Sequence, residues 1–153
     1  MKESHVKDIL KKWLKDGGYE VLDSDENSQI DSEVKVDLIA KKGDEYWIIE
    51  AKGDYDRNTS QYNVNFDTGM GQLLKSISKL DSKTKYAIAI PFSRTERGEK
   101  LSYRLILNKY SKSVIFEVLN IHIILVRDDE SVEIILPKDV ISFLSTIDPR
   151  IKI

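Results

Sequence analysis

Val6, Ile9, Leu10, Trp13 and Leu14 recur at i, i+3, i+4, i+7 and i+8, which puts them on one face of a helix. Gly17-Gly18 supplies the stop. Tyr19 to Leu22 reads as a short first strand. From Val34 the period changes to two. Val34, Val36, Leu38 and Ala40 alternate with Lys35, Asp37, Ile39 and Lys41, and the alternation resumes from Tyr46 to Lys52. Gly43-Asp44 between them, glycine first, fits a two-residue type II′ hairpin turn. In that register position i faces 87 − i, so Asp37 stands opposite Glu50. One face is apolar (Val36, Leu38, Ala40, Trp47, Ile49, Ala51). The other carries Asp37, Ile39, Lys41, Tyr46, Ile48, Glu50 and Lys52.

Farther on, residues 53–66 are polar and read as a long loop, the kind that is often functional in a compact domain. Residues 67–81 read as a helix through Met70, Leu73, Leu74, Ile77 and Leu80, and Lys85 to Ile90 as a strongly apolar strand ended by Pro91. A helix is expected from about Thr95 to Lys109, while 114–119 is ambiguous. Ile121–Arg127 and Val132–Leu136 read as a hairpin around Asp128-Asp129, and Pro137 opens a last helix with Val140, Phe143, Leu144 and Ile147. This order predicts one α/β domain over 1–153 with a mixed central sheet, helices on both faces and a C-terminal hairpin and helix.

Composition narrows the chemistry. The 153 residues hold no cysteine, which excludes thiol catalysis and cysteine-ligated zinc or iron–sulfur centres. His5 and His122 are too few and too far apart for a zinc triad, and His122 alternates within an apolar strand as a structural residue would. No apolar run has the length of a membrane span, and the start is no signal peptide, so a soluble, cytoplasmic protein is expected. Asp23 to Glu33 holds five acids and no base, which reads as an exposed loop, with metal binding the alternative.

The candidate chemistry lies on the polar face of the first hairpin. Carboxylates directly opposite on neighbouring strands repel, and half-burying them costs more. A divalent cation compensates. Mg²⁺ takes one or two carboxylates and completes its shell with waters and phosphate oxygens. Lys52, two residues after Glu50, projects from the same face and either neutralises charge or holds a water or phosphate oxygen. Such a set suffices for phosphodiester hydrolysis. The alternative is a solvated polar face, against which Ile39 and Ile48 argue.

Asp37, twelve intervening residues, then Glu50-Ala51-Lys52 on the next strand resembles the PD-(D/E)xK nuclease superfamily, also called restriction-endonuclease-like. The helix before, the helix after and the apolar strand beyond resemble its αβββαβ core, over roughly residues 3–91. Val36 stands where the motif's name has proline. Gly69-Met70-Gly71-Gln72 on the following helix, then Tyr86 to Pro91, resembles superfamily branches with a glutamine there. The resemblance implies Mg²⁺, with Mn²⁺ as substitute, bound by Asp37, Glu50 and the Ala51 carbonyl. It implies that Lys52 positions the attacking water, that Gln72 supports the site, and that Glu3 on the first helix is an additional acid. It further implies a DNA substrate and a homodimer. Without it, Glu3 reads equally as an acid complementing the helix N-terminus, Gln72 as a surface residue, and Gly69-x-Gly71 as a phosphate-loop candidate without the lysine-serine ending.

The net charge of −2 does not point to nucleic acid, so distribution matters more than the sum. Residues 94–112 hold six bases against two acids. Arg97, Lys100 and Arg104 fall at i, i+3 and i+7, one face of the expected helix, with Tyr103 and Tyr110 nearby and Lys75, Lys79, Lys83 and Lys85 available to widen the patch. Phosphate contact through these residues is one reading and a solvated helix face the other. The function expected is a Mg²⁺-dependent endonuclease. The alternative is a non-catalytic nucleic-acid- or protein-binding module on the same fold, and nothing in the sequence separates DNA from RNA.

Overall fold

The computed structural model describes residues 1–23, 35–54, 59–95, 98–100 and 103–147. The acidic stretch after Asp23 therefore lies outside the described residues, as does Arg97. Helix α1 (Glu3–Asp16) is followed by strands β1 (Glu20–Asp23), β2 (Leu38–Lys42) and β3 (Glu45–Ala51), helix α2 (Thr59–Ser76) and strand β4 (Thr84–Thr95). Then come β5 (Gly98–Lys100), α3 (Arg104–Lys109), α4 (Ile115–Val118), β6 (Ile121–Arg127), β7 (Val132–Ile135), a 3-10 turn at Pro137–Asp139 and α5 (Val140–Ile147).

Six strands form a mixed sheet in the order β1-β2-β3-β4-β6-β7, and β5 pairs with the far end of β4. β1, β2 and β3 are antiparallel. β4 runs parallel to β3 on one side and to β6 on the other, and β7 returns antiparallel to β6. The expected hairpin register holds: Leu38 faces Ile49 and Ala40 faces Trp47, each pair summing to 87. Gly43 takes φ 62 in the two-residue turn.

Period-2 burial splits the core into two layers. On one face α1 sets Val6, Ile9, Leu10 and Leu14 against Leu38, Ala40, Trp47, Ile49 and Ala51. Each buried Val, Ile or Leu among them contributes roughly 1.5–3 kcal/mol by leaving water. On the other face Phe66, Met70 and Leu73 of α2 join Ile106 and Leu107 of α3, Phe116 of α4 and Val140 and Leu144 of α5 over Tyr86, Ile88, Ile90, Ile123 and Leu125. The crossovers β3-α2-β4 and β4-α3-α4-β6 thus lie on one side, and α1 covers the other. The expectation of helices on both faces is met.

Three expectations are corrected. The loop assigned to 53–66 is helical from Thr59, and α2 ends at Ser76 rather than 81. Tyr62, Phe66, Met70 and Leu73 pack on one side of this helix, whereas Leu80 is largely exposed. β4 does not end at Pro91 but passes through it to Thr95. The Ala89 carbonyl accepts from the Lys52 amide, so Ala89 faces β3, and Pro91 two residues on faces the same way. β3 has already left the sheet there, so the missing N–H withdraws no ladder bond. The helix expected over 95–109 is replaced by the β4–β5 pairing, Ser93 with Lys100 and Thr95 with Gly98, and only Arg104–Lys109 is helical. The stretch 114–119 resolves into the short α4. Among the described residues no helix is long and apolar enough to cross a membrane.

Candidate metal and phosphodiester site

Asp37 lies just before β2, one step beyond the last paired residue, and is held from two sides. Its Oδ2 accepts from the Ala51 amide at 2.9 Å, and its Oδ1 accepts from Lys7 Nζ at 2.7 Å. Because the Ala51 amide points to Asp37, the Ala51 carbonyl faces that same edge of β3. Glu50, one residue earlier, points to the opposite face of the sheet from Ala51. It is 2% exposed. Its Oε1 accepts from Lys52 Nζ at 2.6 Å, while its Oε2 is buried with no hydrogen-bond partner among the described residues. An ionised buried oxygen without a partner is expensive. Burial first, and the Asp37 charge second, push the Glu50 carboxyl up to about 7 against the opposing pull of Lys52 and, more weakly, of the Asp37 backbone amide.

Helix α2 closes this pocket through one residue. A Cβ on Gly69 would lie 2.5 Å from Lys52 Cε and 3.3 Å from Glu50 Cγ. Only a residue without a side chain lets the helix sit this close over the pair. Gly69 is thus a packing glycine inside a helix. With Gly71 also inside α2, the phosphate-loop reading of Gly69-x-Gly71 is withdrawn. Gln72 follows one turn later, and its Oε1 is likewise buried without a partner. Asn65, one turn before Gly69, has a buried, unpartnered Nδ2. Sequence reading passed over Asn65 because the helix start was set too late; with α2 in place, Asn65, Gly69 and Gln72 form an i, i+4, i+7 stripe.

Glu3 does not touch Glu50. It approaches through Lys7, whose Nζ is 3.5 Å from Glu3 Oε1. Burial pulls the Lys7 ammonium down, but the hydrogen bond and charge of Asp37, joined by Glu3, lift it above its usual value. Lys7 was missed in the sequence. Its signal is the spacing of four from Glu3, which puts acid and base on one side of α1.

The donors around Asp37 and Glu50 are oxygens, the set a hard cation such as Mg²⁺ takes. Among the described residues no three His, Asp or Glu side chains converge as a ready-made metal cage. Mg²⁺ needs no such cage, since one or two carboxylates with waters and phosphate oxygens suffice. The orphaned Glu50 Oε2 fits that demand.

The basic residues do not assemble as expected. Arg104 is exposed on α3. Lys100 belongs to β5, so the two share no helix face. Tyr103 is buried and donates to the Gly53 carbonyl at 2.6 Å, and Tyr110 donates to Asp67 Oδ1 at 2.8 Å. Lys83 pairs with Asp44, and Lys85 lies over the Trp47 ring on the α1 face, away from Arg104. His122 is structural: its Nδ1 is 3.1 Å from the Tyr86 carbonyl and its ring meets Trp47 edge-on. No protein-family model, curated protein or solved structure matches this chain.

Proposed function

We propose that the chain is a Mg²⁺-dependent nuclease of the PD-(D/E)xK, restriction-endonuclease-like class that hydrolyses phosphodiester bonds, with DNA as substrate. One observation carries the reading: Glu50 Oε2 is buried beside the Asp37 charge and meets no hydrogen-bond partner among the described residues. The element order α1-β1-β2-β3-α2-β4 supports it, since it matches the αβββαβ core of that class, with β3 parallel to β4. Asp37, Glu50 and the Ala51 carbonyl would hold the cation. When bound, it lowers the pKa of the attacking water and stabilises charge on the phosphoryl oxygens. Lys52, fixed against Glu50 and roofed by Gly69, orients that water. The water oxygen bonds phosphorus as one P–O ester bond breaks, and the proton the water loses is balanced by the one the departing oxygen takes up, so it leaves as the alcohol. Gln72 and Asn65 offer polar atoms along the roof, and Arg104 is an exposed cation for flanking phosphate.

A second reading has its own observation. Asp37 has Lys7 and Glu50 has Lys52, so each carboxylate has an ammonium without any metal. That balance suits a non-catalytic binding module. Cleavage of supercoiled plasmid, branched DNA and single-stranded RNA with Mg²⁺ separates the two. The nuclease reading expects the wild type to cut DNA, and Asp37→Ala and Glu50→Ala to stop cutting while remaining folded. A wild type that binds DNA yet cuts none of these substrates with Mg²⁺ or Mn²⁺ supports the binding module instead.

A further inference from the structure

The two ammonium groups at this site differ in one respect. Lys52 is buried, with its side chain 11% exposed, and a Cβ on Gly69 would strike its Cε. It is the more confined of the two. Lys7 is 28% exposed and has a second acceptor, Glu3 Oε1, at 3.5 Å on its own helix. Meanwhile both oxygens of Asp37 are already engaged, Oδ1 by Lys7 and Oδ2 by the Ala51 amide. A divalent cation on Asp37 would stand within a few ångströms of the Lys7 ammonium, and like charges at that range repel even where solvent partly screens them. Lys7, the more exposed of the two ammonium groups and the one with a second acceptor beside it, is the one placed to yield.

We infer that Lys7 is a displaceable place-holder for the cation. Its ammonium neutralises Asp37 in the metal-free protein, yields Asp37 to the metal, and on release contacts a phosphate of the nucleic-acid backbone beside the site. The inference rests on the nuclease reading and assigns a positioning role to a residue outside the acid-acid-lysine set. It also explains how opposed carboxylates survive folding before metal arrives: Lys7 covers one and Lys52 the other. The released ammonium stays at the mouth of the site on a helix fixed to the sheet by Val6 and Leu10. It therefore exchanges one anion for another, and metal binding and backbone binding reinforce each other.

The test is calorimetric titration of Mn²⁺, without nucleic acid, into the wild type, Lys7→Met and Lys7→Arg. Methionine keeps helix propensity and stem length, and Lys7→Gln repeats the test if Lys7→Met does not fold. Removing the competing charge tightens Mn²⁺ binding by roughly two- to fivefold, the size of one partly exposed ion pair, while Lys7→Arg stays at the wild-type value. A residue that merely braced the fold would not tighten metal binding when removed. In Ca²⁺, duplex binding by Lys7→Met weakens, and the slope of log K against log salt becomes shallower by about one. Mn²⁺ binding by Lys7→Met no tighter than wild type overturns the inference alone. An unchanged salt slope overturns the phosphate contact. A wild type that binds no Mn²⁺ overturns the nuclease reading and this inference with it.

Discussion

Glu50 and His122 are both titratable groups buried in the sheet, on opposite faces of it, and the protein treats them differently. His122 sits on the α1 face with its Nδ1 bonded to the Tyr86 carbonyl and its ring against Trp47. Burial holds its pKa below the ordinary 6.5, so the ring stays neutral. Glu50 sits on the α2 face with one oxygen paired and the other orphaned, and its neighbour Asp37 adds to the cost of its charge. His122, a neutral ring, is satisfied by its surroundings, and the orphaned Thr84 hydroxyl elsewhere in the sheet carries no charge. A group left half-satisfied under a glycine that admits it has a further partner to meet. An orphaned oxygen on a carboxyl group beside a second carboxylate, more than the presence of acids in a hairpin, sets Glu50 apart from His122 and from the orphaned Thr84 hydroxyl.

The largest effect expected is on cleavage. Glu50→Gln keeps the shape and the acceptor for Lys52 but removes the charge, and should lower Mg²⁺-dependent cleavage by at least ~10³-fold in a single-turnover assay. Next comes Gly69→Ala. The added methyl displaces Lys52, and a misplacement of about 1 Å costs roughly 10²-fold in rate. Gly71→Ala is the control, since nothing lies within 4 Å of a Cβ there. It should leave cleavage unchanged and raise stability by about 0.5–1 kcal/mol in denaturant melts.

Linkage sharpens the same comparison by sign. A carboxyl pushed up to about 7 in the fold, from 4.5 when unfolded, binds its proton more tightly in the native state. Metal-free protein therefore loses stability at Glu50 as pH rises from about 4.5 through 7, by up to ~3 kcal/mol, and Glu50→Gln removes that slope. His122 acts in the opposite sense. Its contribution is intact above 6.5 and is lost as pH falls below that value toward its depressed folded pKa. His122→Phe should flatten only the acid side and leave cleavage at neutral pH intact, the smallest functional effect of the series. Denaturant melts across pH 4–9 read both slopes.

The first hairpin was legible because period 2, a glycine-first turn and an all-apolar face agree, and the register that brings Asp37 to Glu50 followed from them. The partners of the two acids were not legible. That Lys7 reaches Asp37 depends on how α1 crosses the sheet, which no local pattern states. The start of α2 was hidden because Tyr62 and Phe66 stand among polar residues, and with it went the position of Asn65. The basic spacing of Arg97, Lys100 and Arg104 imitated a helix face, but a short local hairpin, Ser93–Thr95 against Gly98–Lys100, forms around that spacing instead. Pro91 read as a strand end because a neighbour's departure from the sheet is a tertiary fact.

The most direct measurement is a crystal soaked in Mn²⁺, with anomalous scattering used to locate the metal. The account predicts one peak coordinated by Asp37, Glu50 Oε2 and the Ala51 carbonyl, with the Lys7 ammonium moved off Asp37. A fully soaked crystal in which no peak lies between the two carboxylates, with Lys7 still bonded to Asp37, would contradict it.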